Sequence, residues 1–128
     1  MANHAIIHIE FPATDPAAAG RFYNELFDWK IEHDTAMNYT MFQAEPGPGG
    51  AFVDVSQATD GGLVTYKPGE ILLYVSTDDI DASLAKAESL GGRPLVPKTE
   101  IPNIGWFGIF ADPSGNRVAL YTNMQQPG

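Results

Sequence analysis

The stretch from His4 to Ile31, HAIIHIEFPATDPAAAGRFYNELFDWKI, reads as a strand, a helix cap, an amphipathic helix and the start of a second strand. The later stretch EILLYVSTDDIDASLAKAESLGGRPLV, Glu70 to Val96, repeats that order. Two copies of one strand–helix–strand unit in a single short chain imply a fold built by internal duplication. This repeat constrains the chain more than any other feature. It also fixes where chemistry is sought: on the residues of each copy's first strand that do not pack under the helix.

Alternation defines those residues. Across Ala5 to Ala13, Ile7, Ile9, Phe11 and Ala13 share one face, and Ile6, His8, Glu10 and Pro12 the other. The first set is suited to packing under helices. Thr14 and Asp15 offer N-cap side chains, and Pro16 stands at the first helical position, where its missing N–H costs nothing. A helix is expected from Pro16 to Phe27, with Ala19, Phe22, Tyr23, Leu26 and Phe27 as its buried stripe. Short strands follow at Trp29–His33, Tyr39–Ala44 and Ala51–Val55, with EPGPGG (Glu45 to Gly50) as a tight connection. Gln57 to Gly69 is a polar, glycine-rich linker.

The second half runs in the same order. A strand covers Ile71–Ser76, Asp78 or Asp79 caps a helix to about Leu90, and Gly91-Gly92 ends it. Ile80, Leu84, Ala87 and Leu90 form the expected buried face. Strands follow at Pro94–Lys98, Trp106–Ala111 and Val118–Thr122, the last two joined by the hairpin turn DPSGN, Asp112 to Asn116. Asp15 aligns with Asp79, Leu26 with Leu90 and His8 with Leu72. After the helix the second copy is longer by about three residues, which aligns Phe52 with Ala119.

These residues carry a resemblance. IIHIEFPATDPAAAGRFYNELFDW resembles the first module of the vicinal oxygen chelate superfamily, which includes glyoxalases, extradiol dioxygenases and the fosfomycin- and bleomycin-resistance proteins. DDIDASLAKAESLGG followed by GWFGIFADPSGNRVAL resembles the second module. The most specific parts are the histidine seven residues before the capping aspartate, the Phe-Tyr pair near the helix end, and DPSGN. The resemblance implies an α+β fold of two tandem βαβββ modules, about 4–56 and 70–123. Their strands would form a curved mixed sheet, a half-barrel with a cleft, and the helices would pack outside. It also implies a homodimer.

In metal-using members the ligands stand on the first and last strands of each module. Carried over one at a time, these positions fall on His8, Leu72, Phe52 or a neighbour, and Ala119. His8 alone is a family-type ligand, and zinc sites need three or four donors. No cofactor is therefore expected, with a divalent metal kept as the alternative. His8 and Glu10 stand two apart on one strand face and form a candidate acid–base pair; a structural hydrogen-bonded pair is the competing reading. Phe52, Leu72, Tyr74, Trp106, Ala119 and Tyr121 are the expected ligand-binding lining, mostly apolar and aromatic as in ordinary small-molecule pockets. Trp106 and its neighbour Phe107 point to opposite faces, so one of them can line the cleft and the other the core, with a core role for both as the alternative, and Tyr39 and Phe42 share that ambiguity. His4 and His33 read as surface residues.

Composition narrows the partners. Among 128 residues, 44% are hydrophobic and 18% charged, and the net charge of −9 argues against nucleic acid and anionic membrane. It is compatible with a cationic ligand. There is no cysteine, which excludes disulfides, thiolate metal sites and a cysteine nucleophile. The opening MANHAIIHIEF lacks a signal-peptide pattern, no apolar run is long enough for a membrane span, and a cytoplasmic location is expected. The expected function is a glyoxalase- or bleomycin-resistance-like protein with a degenerate metal site. It would bind a small aromatic or apolar ligand, with His8 and Glu10 as the candidate catalytic pair. The alternative is a divalent-metal-dependent lyase, isomerase or dioxygenase of the glyoxalase type.

Overall fold

The computed structural model describes residues 4–36, 38–55 and 68–124. The linker expected at 57–69 falls outside them, apart from its last two residues. The chain divides into two compact units, 7–72 and 1–6 with 73–128. The α+β class that the resemblance implies holds in each.

In the first unit the order is β1 (Ile6–Ala13), α1 (Pro16–Phe27), β2 (Lys30–Asp34), β3 (Tyr39–Gln43) and β4 (Gly50–Asp54). The spatial order is β2-β3-β4-β1, with β4 parallel to β1 and the other pairs antiparallel. Helix α1 starts where the capping sequence predicts. The Asp15 carboxylate accepts the Ala18 N–H at 3.1 Å and Pro16 opens the first turn. It ends at Asp28, whose left-handed φ of 62° turns the chain while its N–H bonds the Asn24 carbonyl. The core is aromatic. Phe11, Phe42 and Phe52 stack beneath α1 with Tyr23 and Trp29, at ring separations from 4.6 Å (Trp29–Phe42) to 5.8 Å (Phe11–Phe52).

The expected stripe on α1 is narrower than its periodicity suggests. Ala19 and Tyr23 pack on the core, but Phe22, Leu26 and Phe27 are more than half exposed, at 59%, 56% and 55%. The reason is Trp29. Its ring stacks on Tyr23 and Phe42 and closes the end of the core that the last helical turn would otherwise cover.

In the second unit the elements are β5 (Leu72–Ser76), α2 (Ile80–Ser89), β6 (Arg93–Ile101), β7 (Gly105–Ala111) and β8 (Arg117–Asn123). Their spatial order is β5-β8-β7-β6, again with one parallel pair, β5 and β8. Asp79, not Asp78, is the N-cap of α2, accepting the Ala82 N–H at 2.9 Å. Ile80, Leu84 and Leu120 form a smaller, largely aliphatic core with Val75, Trp106 and Phe110 around it. Leu90 is not part of the buried face: it is the C-cap residue and is 71% exposed.

Register corrects the alignment of the halves. Glu10 pairs with Ala51 in the first unit, and its equivalent Tyr74 pairs with Ala119 in the second. Ala51, not Phe52, is therefore the counterpart of Ala119. The offset between equivalent residues is 64 at the caps (Asp15, Asp79) and 68 at the last strands (Ala51, Ala119). The four extra residues lengthen β6, which has nine residues against five in β2 and carries two register shifts against β7. A one-residue error of this kind moves a side chain to the other face of its sheet.

Candidate functional site

Parity along β1 sends Ile9 and Phe11 into the aromatic core and leaves His8 and Glu10 on the face away from α1. Strand β3 has the same division. Phe42 is core, and Tyr39, three residues away, points to the face of His8 and Glu10. The three side chains form a hydrogen-bonded chain. The Tyr39 hydroxyl donates to Glu10 Oε2 at 2.6 Å, a length typical of a hydroxyl–carboxylate bond, and lies 2.9 Å from His8 Nε2. His8 Nε2 and Glu10 Oε2 are 3.9 Å apart, so Tyr39 is the bridge between them.

This arrangement assigns the protons. The tyrosine has one hydroxyl proton, and an ionised carboxylate accepts only. With that proton on the Glu10 side, the hydroxyl oxygen accepts from His8 Nε2–H. Burial pushes the imidazole pKa below its ordinary 6.5, opposed by the nearby Glu10 charge. Burial thus favours the neutral imidazole, whose Nε2 meets the Tyr39 hydroxyl. Glu10 itself is buried, 8% exposed. A buried carboxylate is tolerated because it is hydrogen-bonded.

The other expected site residues divide by face. In the second unit Tyr74 and Ala119 pair across β5 and β8, and Tyr121 follows Ala119 on the same face, away from α2. Ala119 and Leu72 are buried, at 0% and 3% exposure, and so present no open surface. Burial raises the Tyr121 pKa, and its hydroxyl makes only a long 3.4 Å contact to the Ile104 carbonyl. Two expectations are corrected. Phe52 lies in the first core, stacked on Phe11 and Tyr23 and 2% exposed, because its strand neighbour Ala51 takes the opposite face. Trp106 lies on the α2 side of its sheet with Ile80, Leu84 and Leu120, so Phe107 takes the face expected for it. Lys98 Nζ lies 5.1 Å from the Trp106 ring centre.

Tyr39 is the site residue that sequence reading left undecided. Its odd spacing from the core residue Phe42 was the available signal. His4 is exposed, as expected. His33 sits on edge strand β2, with Nδ1 3.0 Å from Thr40 Oγ1. It belongs to a groove of about 570 Å³ beside α1, lined by Arg21, Asn24, Ile31 and Thr40 among others, on the sheet face opposite His8.

The metal implied by the superfamily does not fit these residues. The four positions are His8, Leu72, Ala51 and Ala119, and three of them have no donor atom. Among the described residues no group of three His, Cys, Asp or Glu side chains comes together. Also among the described residues, no helix is long and apolar enough to cross a membrane.

Residues 8–121 match the model of the glyoxalase-like domain family. A glyoxylase-like domain-containing protein of Didymella fabae is 27% identical over 117 residues, covering 89% of this chain and 90% of that protein. The anthracycline biosynthesis protein DnrV of Streptomyces peucetius is 30% identical over 118 residues, covering 84% of this chain but 42% of its own length. The chain likewise spans less than half, 43%, of the Mycobacterium tuberculosis protein CFP32. Among solved structures, methylmalonyl-CoA epimerase of M. tuberculosis superposes with a TM-score of 0.65 at 16% identity, over 99% of this chain and 93% of that one. A glyoxalase/bleomycin resistance protein/dioxygenase superfamily member of Vibrio splendidus superposes at 0.61 and 6% identity, over 94% and 100%. At such identities these structures bear on the fold alone.

Proposed function

The chain belongs to the glyoxalase-like domain family, and we propose that it binds a small aromatic or apolar molecule without a resident metal, using His8, Tyr39 and Glu10 as the polar anchor. The observation that carries this reading is the Tyr39 hydroxyl held between His8 Nε2 and Glu10 Oε2. A hydrogen-bonded chain of three side chains on one sheet face offers a ligand a fixed set of polar contacts, and apolar strand residues around it supply affinity. Phe52 and Trp106 face the cores of their own units and are not proposed as ligand contacts; Tyr74 and Tyr121 are proposed as ligand contacts on the second unit's own sheet face. The net charge of −9 favours capture of a cationic ligand, through encounter rate more than affinity. An anthracycline, the compound class in the name of the Streptomyces relative, is the first ligand to try. A small-molecule partner, a homodimer and a cytoplasmic location belong to this proposal.

A second reading has its own observation. Burial lowers the His8 pKa and so favours the neutral imidazole, a proton acceptor whose ring Tyr39 and Glu10 hold in place. His8 would then be the general base of a metal-independent proton transfer. No step runs through a metal ion in either reading, because the donors at the superfamily positions do not fit one.

The test is melting temperature after chelation, first with added Zn²⁺, Ni²⁺, Mn²⁺ and Fe²⁺, then with an anthracycline and smaller aromatic ligands. A ligand specific to the native state stabilises it by mass action. The expected result is no shift with metals, a shift with an aromatic ligand, and loss of that shift in His8→Ala and Tyr39→Phe. A stoichiometric metal shift, or a ligand shift unchanged in both variants, overturns the proposal.

A further inference from the structure

The two helices occupy equivalent places, and one pair of equivalent positions differs sharply. In the first unit Tyr23 drives its ring into the core against Phe11 (5.6 Å), Trp29 (5.1 Å) and Phe52 (5.5 Å). The equivalent of Tyr23 on α2 is Ala87, and Phe11 and Phe52 become Val75 and Leu120. Every one of those changes removes volume. The space that an aromatic ring fills in the first unit is a groove of about 430 Å³ in the second, lined by Val75, Ala87, Leu90, Phe110 and Leu120. The size and apolar lining suit a small organic ligand.

The rim of the groove carries Lys86, His4 and Asp112. Lys86 lines it and makes no ion pair with another described residue. His4 stands beside it, placed by its N–H bond to the Ser76 carbonyl at 2.7 Å. Asp112 is the opposing carboxylate, but its oxygens are taken by its own turn. They accept from Ser114 N (2.9 Å), Asn116 N (2.9 Å) and Asn116 Nδ2 (3.1 Å). The carbonyls ending α2 are likewise used, accepting from the N–H groups of Leu90, Gly91 and Gly92. Asp112 keeps its negative charge with its oxygens so engaged, and Lys86 is the ammonium donor on the rim that a ligand can meet.

We propose that this groove binds a single-ring aromatic carboxylate. The ring takes the place that the Tyr23 ring takes in the first unit, and the carboxylate meets the Lys86 ammonium. The site lies on the helix side of the second sheet and does not involve His8, Tyr39 or Glu10, so it stands or falls apart from the function proposed above.

The test is a titration of the whole ¹⁵N-labelled chain with 4-hydroxyphenylacetate, followed by amide shifts. The expected result is saturable shifts at Val75, Ala87, Phe110 and Leu120, with a Kd of roughly millimolar order for so small a ligand. Ala87→Tyr fills the groove from within and should abolish those shifts while raising the melting temperature. Lys86→Glu should weaken the carboxylate several-fold and leave the neutral probe 4-methylphenol unchanged; this variant decides the matter if Ala87→Tyr does not fold. The proposal is overturned if no saturable shift occurs at these amides, or if both probes bind alike before and after Lys86→Glu. Shifts at the same amides that depend on protein concentration without any probe also overturn it, since a second copy of the chain would then be the occupant.

Discussion

The two units share a backbone plan and divide its two faces differently. On the face away from the helix, the first unit carries His8, Glu10 and Tyr39, whereas the equivalent positions of the second are Leu72, Tyr74 and Phe107. On the helix side the contrast reverses. The first unit's core is built of stacked aromatic rings, and the second has smaller aliphatic side chains with a groove where the Tyr23 ring would lie. The plan itself depends on few residues: a capping aspartate before each helix, strict alternation along the strands, and one parallel pair in each unit. Side chains that neither cap nor set parity can be exchanged between copies without disturbing the backbone. The hydrogen-bonded polar chain stands in one copy, and the aromatic filling of the core is lost in the other.

The core contrast predicts the largest effects. Phe52→Ala removes a ring that is 2% exposed and stacked on Phe11, Tyr23 and Phe42, and should cost about 3–5 kcal/mol. Leu120→Ala, the equivalent position, should cost about 2–5 kcal/mol and fall toward the lower end, because a groove already adjoins it. Urea denaturation of the two variants measures the difference directly. If Leu120→Ala proves the more damaging, the first unit is not the better-packed copy and the comparison breaks.

The tyrosines sharpen the contrast on the other face. Tyr39→Phe takes from buried Glu10 its 2.6 Å donor and should cost about 1.5–3 kcal/mol, the range for hydrogen bonds to charged groups. Tyr121→Phe in the second unit gives up only a 3.4 Å contact to a carbonyl and should be close to neutral in stability. Equal losses in the same denaturation experiment would mean that the chain of His8, Tyr39 and Glu10 is not a tighter network than its surroundings.

Much of this was legible in the sequence, and the failures have a common cause. Asp15, Pro16 and the alternation of β1 announced the first helix and placed His8 and Glu10 on one face, because caps and strand parity are local properties. Ala51 could not be told from Phe52, since that choice depends on how many residues β6 holds, and its register shifts leave no local mark. The fates of Trp106 and Tyr39 required knowing which neighbour the core would take. The exposure of Phe22, Leu26 and Phe27 followed from Trp29 arriving from outside the helix, which periodicity along the helix does not report.

The smallest expected effect concerns acid stability, where His8 acts in the first unit and its equivalent Leu72 cannot. Burial sets the folded His8 pKa below the unfolded value of about 6.5, with Glu10 pulling the other way. The unfolded chain therefore binds a proton at this residue before the folded chain does. Stability tied to His8 is complete above about pH 6.5 and is lost as pH falls from there through the folded pKa, the slope of stability against pH being positive in that window. Comparing wild type with His8→Gln cancels the carboxylates that both proteins share. The difference in unfolding free energy should move against the wild type between pH 7 and the folded pKa, and level off below it. Opposed contributions from burial and Glu10 keep the effect small. Glu10→Gln removes the opposing one, so His8 in that variant should titrate at lower pH by NMR, and an unchanged pKa would show that the Glu10 charge does not reach the imidazole 3.9 Å away.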